Sequence, residues 1–281
     1  MVAKFFTLKD DFNKIIENEL NNKVILKIIP VTTGWTNIVY RVKTNSGNYY
    51  FRFPRDTFWE KTIVKDYEFA KYINGKTSFE TVKLELKFNN NRPYSMHREI
   101  EGIPLAEKMN GLSDEKIEKI SNQIAKFMYE LHNLKYDENE IFTNSKNIGF
   151  ELQDFITELL NDHVDEKDKS FWNNNNFIIN DKNDRCLVHG DLNSSNILLD
   201  ENDNVKAIID FGFAGFGTKY FDISRIIGRC PQLFEKKIIT AYQKLENKKI
   251  NDEELQKDIK IWSNIDKGYI NYMERIGIYN T

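Results

Sequence analysis

The stretch CLVHGDLNSSNILLD, Cys186 to Asp200, sets Asp191 and Asn196 five residues apart between two short apolar runs, and Asp210-Phe211-Gly212 begins fourteen residues after Asn196. A carboxylate beside an incoming hydroxyl can orient it and accept its proton. A carboxamide oxygen and a second carboxylate can hold the magnesium ions that neutralise a triphosphate. The carboxamide does so without adding negative charge close to the base. Each piece alone is common in turns; in this order, on a strand, a loop, a strand and a turn, they match the logic of phosphoryl transfer, with Asp191 as base and Asn196 and Asp210 as metal ligands. Ser194 and Ser195 share the loop, but no histidine arrangement activates them, so they read as turn residues.

Such chemistry needs a turn over the phosphates and a cation upstream. VTTGWTNIVYRV places Thr33, Gly34 and Asn37 between two expected strands, where a tight hairpin could cover phosphates; with one glycine, a plain hairpin fits equally well. In the next strand Arg52 stands between Phe51 and Phe53, where a phosphate-pairing cation is expected.

The positioning elements follow from periodicity. KVILKIIPV, NIVYRVKT and NYYFRFP are short, partly alternating and rich in β-branched or aromatic residues, with NSG as a hairpin turn, so they predict three antiparallel strands. An opening helix starting at Thr7-x-x-Asp10 precedes them. KTIVKDYEFAKYI has helical spacing and stops at NG, and TVKLELKF and RPYSMHREI resume strands. From Pro104 helices dominate, the clearest running through Ile117, Ile120, Ile124, Phe127, Met128 and Leu131; others are expected near 149–164, 219–228, 232–245 and 252–278. The expected division is residues 1–98 as a nucleotide-binding lobe, 99–103 as a linker and 104–281 as a helical lobe. The strands CLV and ILL are expected as a pair holding the Asp191 loop, and FWNNNNFIIND as a surface loop.

The bulk composition narrows the partners. The 281 residues carry 40 Lys and Arg against 43 Asp and Glu, a formal charge of −3 that offers no basic stripe for nucleic acid. No apolar run approaches the roughly 20 residues that span a bilayer. The two cysteines sit in core-like segments, which speaks against a disulfide framework. The expectation is a cytoplasmic, soluble protein with no nucleic-acid, membrane or evident protein partner.

Through GWTNIVYRV, FRFPR, EGIPL, ELHNL, HGDLNSSNILLD and IIDFGFAGFGTKYFDISRI the chain resembles the aminoglycoside phosphotransferase and choline kinase superfamily. That resemblance implies an α+β, bilobal, protein-kinase-like fold with a small antiparallel-sheet N-lobe and a larger, mostly helical C-lobe. It implies Mg²⁺, ATP or GTP as co-substrate, and the same roles for Asp191, Asn196 and Asp210. Arg52 would stand where the family often has Lys, partnered by Asp66, with Glu68 as the alternative. The nucleobase would bond the Arg98 carbonyl and the Ile100 amide, with His97 setting the depth of its pocket or serving as an ordinary edge-strand histidine. His132 and His189 read as structural and His163 as exposed. The absence of an APE segment after DFG, and Gly190 in place of the Arg of protein kinases, disfavour protein substrates.

An aminoglycoside acceptor calls for acids around Asp191, and a choline-type acceptor for aromatic faces. The candidates are Asp222, Glu235, Asp266 and Glu274 for the first, and Phe213, Trp172, Trp262, Tyr269 and Tyr272 for the second; Trp262 and Tyr269 lie seven apart and equally suit a core. The leading expectation is an aminoglycoside O-phosphotransferase conferring antibiotic resistance. A choline- or homoserine-type metabolic kinase and a non-catalytic nucleotide sensor are the alternatives.

Overall fold

The structure is a computed structural model that describes residues 12–32, 34–141, 150–172 and 185–277. Alternating side chains build a five-stranded antiparallel sheet from β1 (Ile25–Val31), β2 (Asn37–Thr44), β3 (Gly47–Pro54), β4 (Glu85–Asn89) and β5 (Arg92–Arg98), in the order β1-β2-β3-β5-β4. The β2–β3 turn closes at Gly47, whose φ of +128° is open to glycine and costly for other residues. Helix α1 (Phe12–Glu19) packs Phe12 and Ile16 onto one face of this sheet, against Phe51, Phe53 and Tyr94. Because strand side chains alternate, Arg52 between those two phenylalanines points to the other face. There α2 (Glu60–Ile73) lies, burying Ile63, Phe69 and Ile73.

The chain then crosses to two smaller sheets. β6 (Ile103–Pro104), β8 (Ile197–Leu199) and β9 (Val205–Ile208) form one, while β7 (Arg185–Val188) pairs with β10 (Gly215–Thr218). The strands flanking the Asp191 loop therefore belong to different sheets, not to one pair as expected. β6 and β10, two and four residues long, escaped the sequence reading because Pro104, Gly215 and Gly217 leave no strand pattern.

After the short α3 (Leu105–Lys108), α4 (Asp114–His132) starts at Ser113, whose hydroxyl accepts from the Lys116 amide, and drives its apolar stripe into the main core. The remaining helices are α5 (Glu138–Ile141), α6 (Leu152–His163), α7 (Glu166–Lys169), α8 (Lys219–Ile227), α9 (Gln232–Glu246) and α10 (Asp252–Arg275). α6 and α10 close a second core around Phe58, Trp59, Phe155 and Trp262. The two lobes are stitched at Glu80, which donates to Lys206 O and accepts from Ile208 N, both at 3.1 Å. Among the described residues no helix is long and apolar enough to cross a membrane. Thr7, Asp10 and the Asn-rich 173–181 stretch lie outside the described residues.

Candidate active site

Between the sheet and the helices lies a cavity of about 560 Å³. Gly34, Asn37, Arg52, Asp66, His97 and Ile100 line it from the sheet side, and Asp191, Asn196, Asp210 and Phe213 from the loops below. Trp262, Asp266 and Tyr269 of α10 close its far end, with Trp35 and Arg229.

The Asp191 loop is held from behind. Asp222 in α8, fully buried, accepts from the amides of His189 and Gly190, both at 2.8 Å, and from His132 Nε2 at 3.1 Å. Burial alone would push its carboxyl up, but His132 and these donors outweigh it and hold it below the usual carboxylate range. His189 is buried as well, with Nε2 donating to Ile209 O at 3.0 Å, which ties the loop to the strand that delivers Asp210. Gly190 has φ +78°, and a Cβ there would lie 2.3 Å from Phe213 O. Only glycine lets the loop press this closely on the segment after Gly212.

Two side chains then orient Asp191 and Asn196. Asn196 Nδ2 donates to Asp191 O at 2.9 Å, which leaves its carboxamide oxygen for a ligand, and Ile209 N donates to Asn196 O at 3.0 Å, setting Asn196 beside the residue before Asp210. Asp191 Oδ1 accepts from Arg225 Nε at 2.9 Å and Nη2 at 2.8 Å. Arg225 Nη1 reaches both oxygens of Asp266 at 2.8 and 2.9 Å, and Arg229 Nη2 reaches Asp266 Oδ2 at 2.6 Å. The Arg225 guanidinium lies over the Trp262 ring at 4.5 Å and that of Arg229 over Trp35 at 5.9 Å. Sequence reasoning missed both arginines. The signal was present in FDISRII, where a charge amid isoleucines on an amphipathic helix must be buried and therefore paired.

On the opposite wall Arg52 donates to Asp66 and, at 2.7 Å, to Asp210 Oδ1. Asp66 Oδ1 also accepts from Phe211 N at 2.8 Å, so one helix carboxylate locates both the guanidinium and the DFG backbone. Burial pushes the Asp210 carboxyl up, but the charge and hydrogen bond of Arg52 outweigh that and hold it ionised, below its ordinary value. Asp210 takes φ +68°, a backbone uncommon outside glycine that aims its side chain into the cavity. The Asn196 oxygen and the Asp210 carboxylate are hard donors of the kind Mg²⁺ takes alongside water and phosphate oxygens, so the site fits that ion.

At the linker His97 stacks on Tyr50, ring centroids 5.4 Å apart, and burial pushes its imidazole down to about 4. The neutral ring donates from Nδ1 to Arg98 O at 3.0 Å and leaves that carbonyl a second lone pair. The Arg98 side chain turns away to Ser46 O, and Ile100 lines the cavity. Gly34 O accepts from Arg55 Nη2 at 2.9 Å, and a Cβ at Gly34 would stand 2.9 Å from Asn37 O, so the turn is tight. Thr33 lies outside the described residues.

Several expected acceptor residues lie elsewhere. Asp222 braces the loop from behind and does not reach the cavity. Glu235 at the start of α9 and the exposed Glu274 near the end of α10 are outside it, as are Trp172, which donates to Thr157, and Tyr272. Glu68 is buried in α2, outside the lining. His163, expected at the surface, is 2% exposed: Asp56 Oδ2 holds its Nε2 at 3.1 Å, and Phe58, Trp59 and Tyr272 surround its ring. A polar residue ending an amphipathic helix looks solvated until a distant acid is folded onto it.

A family model described as the phosphotransferase enzyme family matches residues 27–246. Solved structures resemble the chain over nearly its whole length. An APH(2″) enzyme with GDP and kanamycin superposes with a TM-score of 0.72 at 18% identity, covering 94% of this chain and 92% of that one. A streptomycin–ATP ternary complex of another APH(2″) enzyme gives 0.66 at 18%, covering 96% and 94%. The macrolide 2′-phosphotransferase MphH from Brachybacterium faecium, as apoenzyme, gives 0.61 at 12%, covering 95% and 93%. At these identities the likeness is one of fold, and it is the bilobal, kinase-like α+β fold expected from the sequence.

Proposed function

The chain belongs to the phosphotransferase enzyme family, as a kinase acting on an alcohol group, and from that premise we propose that it transfers the γ-phosphate of ATP or GTP to a hydroxyl of a small molecule. The observation that carries this reading is the gathering of Asp191, Asn196 and Asp210 on one cavity wall, opposite Arg52 and Asp66. Asp191 is the base. Arg225 grips its Oδ1, and Oδ2, which among the described residues meets only Asn196 Nδ2 at 3.5 Å, faces the acceptor hydroxyl, orients it and takes its proton. Asn196 and Asp210 would hold Mg²⁺, which would supply the positive charge that neutralises the triphosphate. Arg52 meets the phosphates, the Gly34–Asn37 turn covers them, and the 99–103 linker presents the Ile100 amide and the Arg98 carbonyl to the base. Residues 1–98 and 104–281 act as the two lobes of this cytoplasmic enzyme.

The kanamycin and streptomycin in the similar structures support an aminoglycoside-type acceptor. A smaller metabolic alcohol is the second reading, and the cavity wall favours it. Of the four acids expected to meet a polycation only Asp266 lines the cavity, and two arginines already hold it. Around it stand Trp35, Trp59, Trp262, Tyr269 and Phe213.

Asp191→Asn tests the mechanism in a coupled assay with magnesium and both nucleotides. Turnover is expected to fall by about 10²–10⁴ with nucleotide affinity retained. Unchanged turnover refutes the assignment, and a wild-type protein that binds nucleotide without transferring phosphate to any alcohol makes it a sensor.

A further inference from the structure

The far end of the cavity balances two guanidiniums, Arg225 and Arg229, against two carboxylates, Asp191 and Asp266. Arg225 is saturated: its Nε and Nη2 grip Asp191, its Nη1 grips Asp266, and only 7% of its side chain is exposed. Arg229 is not. Among the described residues it makes a single hydrogen bond, from Nη2 to Asp266, and its side chain stays 32% exposed at the cavity wall. Trp35 lies over the guanidinium face, so what remains toward the cavity is the in-plane N–H edge. An open guanidinium edge in a concave, aromatic-walled site matches the two oxygens of a carboxylate or phosphate. An ammonium group arriving there meets like charge and finds both carboxylates already shared.

On the reading of the site as an alcohol kinase, we propose that its acceptor carries an anionic group, a carboxylate or a phosphate, near the hydroxyl it presents to Asp191, and that Arg229 binds that group. Arg225 lies between the two ends of such a molecule. It holds Asp191 with one side of its fork and Asp266, the anchor of Arg229, with the other. The separation of hydroxyl and anion is therefore set by one contiguous chain of ion pairs.

Binding tests this without turnover. The full chain is loaded with magnesium and a non-hydrolysable ATP analogue, so that Arg52 is occupied, and tryptophan fluorescence is followed during titration with glycerol, D-glycerate, glycerol 3-phosphate and kanamycin. At least one of the two anions is expected to bind about tenfold or more tighter than glycerol. Arg229→Met is expected to erase that gap and Arg229→Lys to keep part of it, which guards against a variant that simply misfolds. Glycerate alone showing the gap identifies a carboxylate, glycerol 3-phosphate alone a phosphate. Equal affinity for glycerol and both anions, tighter binding of kanamycin, or a gap that survives Arg229→Met overturns the proposal. A protein that shows the gap yet transfers no phosphate leaves this inference standing and refutes the functional reading beneath it.

Discussion

Replacing Lys65 with methionine is expected to stabilise the protein at neutral pH and to lose that advantage in alkali. Lys65 is fully buried in α2, beside the residue that holds Arg52, and its Nζ has no hydrogen-bond partner among the described residues. It lies over the Phe155 ring at 4.5 Å and the Phe150 ring at 5.8 Å. Burial, reinforced by the charge of Lys61, pushes the amine from its ordinary 10.5 down to about 7. Below about pH 7 the amine is charged in both folded and unfolded chains, and the folded protein bears the whole cost. As the pH rises from about 7 to 10.5 the folded protein has shed its proton while the unfolded chain keeps it, so the wild type gains stability. Above that window both are neutral. A shift of this size corresponds to about 5 kcal/mol, an upper bound because the rings return part of it. For a chain of this length that is about 10 °C in Tm. Thermal unfolding of the wild type and Lys65→Met at about pH 6.5, 8.5 and 10.5 should show the gap at its widest at the lowest pH and closed at the highest. A variant less stable than the wild type at neutral pH, or a gain independent of pH, refutes the reasoning.

Arg225→Met should cost about 3 kcal/mol in urea unfolding, because it strands the Asp191 carboxylate and leaves Asp266 to Arg229 alone, and lower kcat by about 100-fold or more with little change in nucleotide KM. Arg225→Lys, which keeps the charge but cannot grip both acids, should fall between; parallel losses in kcat and nucleotide KM would contradict a positioning role. Gly190→Ala sets a methyl where 2.3 Å separates it from Phe213 O at φ +78°, and should destabilise by about 3 kcal/mol or more and abolish phosphate transfer. Wild-type stability in that variant would show that the loop does not need the close approach.

Periodicity revealed the five strands of the upper sheet and the long helices, because a half-buried strand or helix must alternate apolar and polar residues. The gathering of Asp191, Asn196 and Asp210 was legible for another reason: all three lie within twenty residues, on a loop and a turn whose geometry is local. What escaped was long-range. The Arg225–Asp191 and Arg225–Asp266 pairs join residues 34 and 41 apart, and nothing near Asp191 in the chain announces its partner. Asp222 was a candidate acceptor ligand simply as an acid that could stand near Asp191, but helix α8 turns it beneath the loop to collect two amides. Glu235 and Glu274 failed similarly, since a helix face outward or inward depends on neighbours the sequence does not place.

The bracing of the Asp191 loop also has an entropic side. Two amides on Asp222, itself held by His132, and the His189 ring on Ile209 O fix that loop in place, so its conformational entropy is surrendered during folding and not at each encounter with substrate. The upper wall is tied to the same floor by the backbone of Glu80, by Arg52 on Asp210, by Asp66 on the Phe211 amide, by Asp56 on His163, and by Phe58 and Trp59 packed against Phe155.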